Sequence, residues 1–260
     1  MTTPEQTRPR PGTFRLHGWM KSLADLAIIV LLITVAKSAL AEPYYVPSGS
    51  MEPTLQIGDE LLATKYPYGY STASLPLFID LPATQRIFAT LPRRGDVVVF
   101  RAPADPSQIW VKRVIGLPGD RIAVRDGRVW IDGQPVGLSA DGIGRDESAD
   151  GSRLRAPQFI ETLPGGRRHL IFQESTSGPM DNMAPVTVPP GHLFVMGDNR
   201  DNSDDSRVPA RLGGVGMLPV GDLVGRVNVL LGSWDLATAH KPLRDWPSGL
   251  RLSRFFSAVR

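Results

Sequence analysis

Cysteine is absent from all 260 residues, which removes disulfides, thiolate nucleophiles and zinc–cysteine sites together. Aromatic residues make up only 7%. Charge of one sign is also scarce: 29 Lys and Arg against 26 Asp and Glu leave a net charge of +3, with the basic residues scattered among acids rather than gathered in a block. Such a surface gives no electrostatic footprint for nucleic acid, so no nucleic-acid partner is expected. With 26 glycines and 24 prolines distributed along the chain, uninterrupted helical stretches are missing after residue 42, which favours an irregular β-rich fold over a bundle. There are four histidines, His17, His169, His192 and His240, and none lies within the Ser50 or acidic-loop motifs described below, so a Ser-His-Asp triad is not expected.

Long apolar runs are rare too, and the clear one is N-terminal. Residues 23–41, LADLAIIVLLITVAKSALA, come close to the roughly 20 residues needed to span a bilayer. Asp25 and Lys37 sit near its ends, where the interface is within reach. Arg8, Arg10, Arg15 and Lys21 precede the run against one acid, Glu5. That bias leaves residues 1–22 in the cytoplasm and exports the remainder. The same features, with Ala39-Leu40-Ala41 as a cleavage site, also fit a removable secretory leader. Either reading puts the rest of the chain on the far side of the membrane.

Beyond residue 42 the 42% hydrophobic content of the chain suffices for a full core. Period-two and β-branched runs predict strands at residues 61–65, 96–101, 109–115, 158–163, 168–174, 186–188 and 192–196. Asp126-Gly127 between residues 121–125 and 128–132 predicts a tight hairpin. Residues 66–92 read as a loop, and 133–155, rich in Gly, Asp, Ser and Arg, as an exposed excursion with little to bury. Residues 246–260 mix Leu and Phe with Arg, which fits either a lipid-facing amphipathic piece or a short docked helix.

Two stretches carry chemistry. In Pro47-Ser-Gly-Ser-Met-Glu-Pro53, Ser50 lies nine residues past Ala41 between two chain-stiffening prolines. In Trp110-Val-Lys-Arg-Val114, Lys112 sits inside an apolar strand with Trp110 and Val114 on its own face. Burial lowers a lysine from about 10.4 toward neutrality, which would let its amine take a proton from a serine hydroxyl. A third stretch, Gly197-Asp-Asn-Arg-Asp-Asn-Ser-Asp-Asp-Ser-Arg207, is acidic. As a calcium loop starting at Asp201 it would need Gly and Glu where Ser206 and Leu212 stand. An Asp205–Arg207 pair with hydroxyls orienting the lysine fits it better, and neither metal nor cofactor is expected.

Taken in order, Ser48–Leu55, Arg94–Phe100, Lys112–Asp120 and Gly197–Arg207 resemble the successive boxes of bacterial type I signal peptidase, the leader peptidase family. With the apolar run, the resemblance covers residues from about 23 to 230. It implies Ser50 as nucleophile and Lys112 as general base. Ser48 would join the Ser50 N–H in an oxyanion hole, and Ser203 would orient the lysine. Asp205 and Arg207 would form a supporting ion pair with Arg113 beside them, and Gly197 would permit close packing. Tyr44, Val46, Pro47, Met51, Val99 and Val111 would wall shallow pockets for small residues in an A-x-A pattern.

The activity so implied is removal of signal peptides from exported preproteins by a membrane-anchored serine endopeptidase of the inner membrane, with lipid as a further partner. A conjugation-type maturation peptidase with one dedicated substrate, or a non-catalytic tethered β-rich module, are the alternatives. The expected architecture is mainly β: a transmembrane helix at 23–41, a mostly antiparallel catalytic domain at 42–125 and 186–235, an inserted β lobe at 126–185 and a basic segment at 236–260. Well-known members carry two N-terminal spans where this sequence shows one, and the step after Arg207 is longer than in the family.

Overall fold

The computed structural model describes residues 16–74, 86–147, 153–236, 238 and 242–259. Residues up to Ala36 form one compact unit and Lys37–Arg260 another. The first holds most of a single α-helix, α1 (Leu16–Ala39), which starts seven residues earlier than the apolar run. On it the side chains of residues 21–35 are described, and nearly all are exposed. Among the described residues no helix is long and apolar enough to cross a membrane. Ala41, expected to end the anchor, opens a strand instead and is paired with Thr64.

In the second unit the chain is built on strands, as the Gly and Pro content requires. Seven of them form one sheet in the order β1 (Ala41–Tyr45), β2 (Asp59–Thr64), β14 (Leu223–Ser233), β3 (Val97–Ala102), β4 (Asp105–Gly116), β12 (His192–Met196) and β13 (Leu218–Pro219). Every neighbouring pair is antiparallel. β3 shows why its first four residues are apolar without alternation: all six of its residues, Arg101 included, are buried. Val97 and Val99 enter one core cluster with Met51, Leu55 and Leu61, while Val98 and Phe100 enter another with Val114, Leu193 and Val195. A strand covered on both faces has no polar side to show.

Two smaller sheets complete the unit. One has the order β11 (Met183–Thr187), β5 (Arg121–Arg125), β6 (Arg128–Ile131), β7 (Gln134–Pro135), and the other β10 (Arg168–Phe172), β9 (Arg153–Thr162), β8 (Gly137–Glu147). The β5–β6 turn follows the expectation from Asp126-Gly127, both residues having positive φ, 49° and 75°, as a tight twisted hairpin demands. Ile115, Ile122, Val129 and Phe194 form a third cluster.

The excursion expected at 133–155 is corrected. Residues 137–147 of it are the long strand β8, still largely exposed, paired with β9 from Gly137↔Thr162 to Glu147↔Arg153. Main-chain hydrogen bonds hold this ribbon, and its outward side chains carry no apolar pattern for a sequence reading to detect. The described C-terminal residues form no α-helix: short 3₁₀ turns at Leu243–Gly249 and Leu252–Arg254 flank the bridges Trp234↔Leu250 and Val229↔Ala258.

Candidate active site

The nucleophile candidate is placed by a turn rather than by a strand. After β1 the chain makes a 3₁₀ turn at Gly49–Met51, closed by Glu52 N–H donating to the Gly49 carbonyl at 3.0 Å. Leu55 N–H donates to the Met51 carbonyl, and Asn199 N–H donates to the carbonyl of Ser50 itself at 3.1 Å. The side chains of Met51 and Leu55 are buried in the first core cluster, where Ile109 and Val111 of β4 pack against them. That contact brings the turn against β4, and the Nζ of Lys112 lies 2.7 Å from the Oγ of Ser50.

Lys112 is 4% exposed. Its amine sits 5.7 Å above the Trp110 ring, and Ser50 is its one hydrogen-bond partner among the described residues. Burial pulls its pKa down from 10.5 to about 8; Asp205, Asp204 and Asp198 oppose that fall, and Arg207 adds to it. A second buried lysine shows what the site withholds. Lys65, wholly buried, meets the Glu42 carboxylate at 2.8 Å and the Ser74 carbonyl at 2.7 Å. Lys112 has no carboxylate in contact, so its neutral form is within reach near pH 8.

The loop after β12 supports the dyad from behind. Asp205, fully buried, accepts from the Gly197 N–H at 3.1 Å and from Arg207 Nε at 2.9 Å, and Arg207 donates also to the Arg200 carbonyl. Gly197 has no room for a side chain: a Cβ there would lie 2.4 Å from the Ser50 carbonyl oxygen and 2.3 Å from the Ser203 hydroxyl. Arg113 pairs with Asp198. It donates through Nε at 2.8 Å and Nη2 at 2.7 Å, and through Nη1 to the Gly95 carbonyl at 2.8 Å. Thr54 of the nucleophile loop bonds the same Asp198 carboxylate.

Five of the six expected pocket residues, Tyr44, Val46, Pro47, Met51 and Val111, line a groove of about 530 Å³ that also holds Ser48, Ser50 and Lys112. Two expectations are corrected. Val99 does not reach the groove; it lies beneath, fully buried, across from Val111 in the β3–β4 register. The Ser203 hydroxyl is buried but makes no hydrogen bond, so it does not bond the lysine here. Ser48 is exposed at the groove edge, and its hydroxyl does not cap the turn.

Several contributors were not assigned a part in the site from the sequence. Leu55, Ile109 and Trp110 extend the apolar wall, and Asn202 and Asp204 close one side. Arg200 donates to Glu161 of β9 at 2.6 Å and Asn199 to Asp146 of β8 at 2.9 Å, so the third sheet braces the loop. His169, 6% exposed, has its Nε2 3.2 Å from Glu161 and 3.9 Å from Asp198. Burial, then Arg113, depresses its pKa. Arg254 near the C-terminus donates to the Thr54 carbonyl at 3.0 Å and to Asp59, and Arg251 donates to the Ile57 carbonyl at 2.8 Å.

Comparison with known proteins gives the family. Residues 18–234 match the family described as signal peptidase, peptidase S26. Signal peptidase I of Rickettsia typhi is 34% identical over 91% of this chain and 92% of its own length, and that of Rickettsia canadensis 36% identical over 91% of each. A crystal structure of a signal peptidase I from Enterococcus faecalis, 28% identical, is matched over 53% of this chain and 97% of that one, with a TM-score of 0.31. The chain belongs to the signal peptidase family, peptidase S26, and is a peptidase.

Proposed function

We propose that Ser50 and Lys112 are the catalytic dyad of a serine endopeptidase that removes N-terminal signal peptides from exported preproteins. The observation that carries this reading is the 2.7 Å approach of a buried amine, with no carboxylate in contact, to the Ser50 hydroxyl at the edge of an apolar groove. Neutral Lys112 takes the proton as Ser50 Oγ attacks the scissile carbonyl. The Ser50 N–H and the Ser48 hydroxyl receive the oxyanion, and donors already in place there stabilise charge as it develops. Collapse expels the new amino terminus, which takes the proton from Lys112, and water attacks the acyl-enzyme with Lys112 again as base.

Gly197, Arg113, Asp205 and Arg207 hold the geometry without touching the reacting atoms. The narrow wall of Tyr44, Val46, Pro47, Met51 and Val111 admits small side chains and rejects larger ones by contact. We further infer an inner-membrane protein anchored by the apolar part of α1 from residue 23 to 39, with residues 1–22 cytoplasmic, lipid as a partner, and catalytic parts 41–125 and 186–235 on the outer side flanked by a lobe at 126–185. The exposed apolar side chains of α1 and the basic residues before them support that reading.

Ser50→Ala and Lys112→Ala enzymes, melting cooperatively like the parent, are expected to leave a secretory preprotein uncut, and the parent to stay with membranes after alkaline extraction. Cleavage by either variant would remove the dyad. Release of the parent into the soluble fraction would remove the anchor.

A further inference from the structure

The groove is lined by two charged side chains among the described residues, Lys112 and Asp204. Lys112 acts only when neutral, so in the working enzyme Asp204 is the remaining charge. It sits on the loop after β12 next to Asp205, yet the two differ completely. Asp205 is fully buried and committed to Arg207 and the Gly197 N–H. Asp204 is exposed and has no hydrogen bond or ion pair among the described residues. The other carboxylates of the loop are engaged, Asp198 by Arg113 and Asp201 by the Glu174 N–H. Apolar walls on one side of an unpaired charge concentrate its field into the groove rather than into protein.

We propose that Asp204 is a specificity-determining residue: its carboxylate faces the bound precursor and favours a basic over an acidic side chain beside the cleavage site. This rests on the groove being the peptide site. A bound peptide displaces water from between the two charges, and like charges brought together there oppose binding as opposite ones assist it. Asp204 also belongs to the set of charges that Lys112 feels, with Asp205 and Asp198 acting in the same direction and Arg207 against them.

The test uses peptides with alanine at the first and third positions before the cut, carrying Lys, Gln or Glu in turn at each position from the fourth before to the third after it. Cleavage of the Gln peptides by the parent and not by Ser50→Ala establishes the groove; failure here sinks the dyad reading and leaves Asp204 without a role. With the groove established, the parent should show, at one position or two adjacent ones, a Lys-to-Glu ratio in kcat/KM of about tenfold at low salt, the scale of two partly exposed charge contacts of opposite sign. Asp204→Asn should bring the ratio close to one, Asp204→Lys should invert it, and the acid limb of the Asp204→Asn profile should move to lower pH. Equal kcat/KM for all three peptides at every position, or a preference that survives in Asp204→Asn, overturns the proposal.

Discussion

Lys112 is a residue the fold holds at a cost to its own stability. Burial shifts its pKa from 10.5 to about 8, so below pH 8 the folded chain must carry a protonated amine in a site that disfavours it. Each pKa unit corresponds to about 1.4 kcal/mol. Because the folded value lies below the unfolded one, the penalty is complete below about 8 and fades as pH rises toward 10. Lys112→Met, similar in length and without charge, should therefore unfold at higher denaturant at pH 7, by up to about 3 kcal/mol, and lose most of that gain by pH 10, while cutting nothing. A destabilised Lys112→Met enzyme would mean that the amine is not strained. At this scale the sequence was readable where chemistry and local pattern coincide. Ser50 and Lys112 stood out because a serine between prolines and a lysine in an apolar strand are each unusual. Asp198, Arg254 and His169 did not, because their partners lie 85, 195 and 8 residues away, separations that no local pattern encodes.

Among elements, the loop carrying Ser50 is held on two sides. Asn199 and Asp198 fix it from the β12 loop, and the C-terminal turns fix it through Arg251 to Ile57 and Arg254 to Thr54 and Asp59. Asp59 in turn accepts from the Gln56 N–H at 2.8 Å, so Arg254 and the loop share one buried carboxylate. Arg254→Gln is expected to lower kcat several-fold with KM little changed and to speed hydrogen exchange at residues 54–59, because misplacing a nucleophile by a fraction of an ångström costs rate rather than binding. Unchanged kcat and exchange would make the C-terminal turns mere cover. The β elements were legible where a buried face imposes a pattern, as in β3, β12 and the β5–β6 hairpin. β8 was not, since its outer face is exposed and its inner face carries glycine and the buried Asp146 instead of an apolar stripe, leaving main-chain bonds that any residue makes to hold the ribbon. Of the loop expected at residues 66–92, residues 75–85 lie outside the described ones.

For the molecule as a whole, buried ion pairs link the sheets behind the groove. Burial alone would raise Asp198, Asp205 and Glu161, but Arg113, Arg207 and Arg200 with His169 outweigh it and hold all three below the ordinary carboxylate range. A carboxyl depressed on folding contributes stability above its unfolded pKa, near 4, and that contribution is lost as pH falls below it. His169, depressed instead by burial and then by Arg113, charges only at a cost as pH drops below the ordinary histidine range. Both shifts have the same sign, so the denaturation midpoint should fall between pH 7 and 5 and more steeply below 4; a midpoint independent of pH would deny these pairs their role. The most direct measurement of the central claim is the pH dependence of kcat/KM for preprotein cleavage. With Lys112 as base the rate should climb about tenfold per pH unit on the acid side, level off near pH 8, and vanish at every pH in Lys112→Arg, whose guanidinium cannot give up its proton. A limb centred near 6.5, or activity retained by Lys112→Arg, would contradict the account.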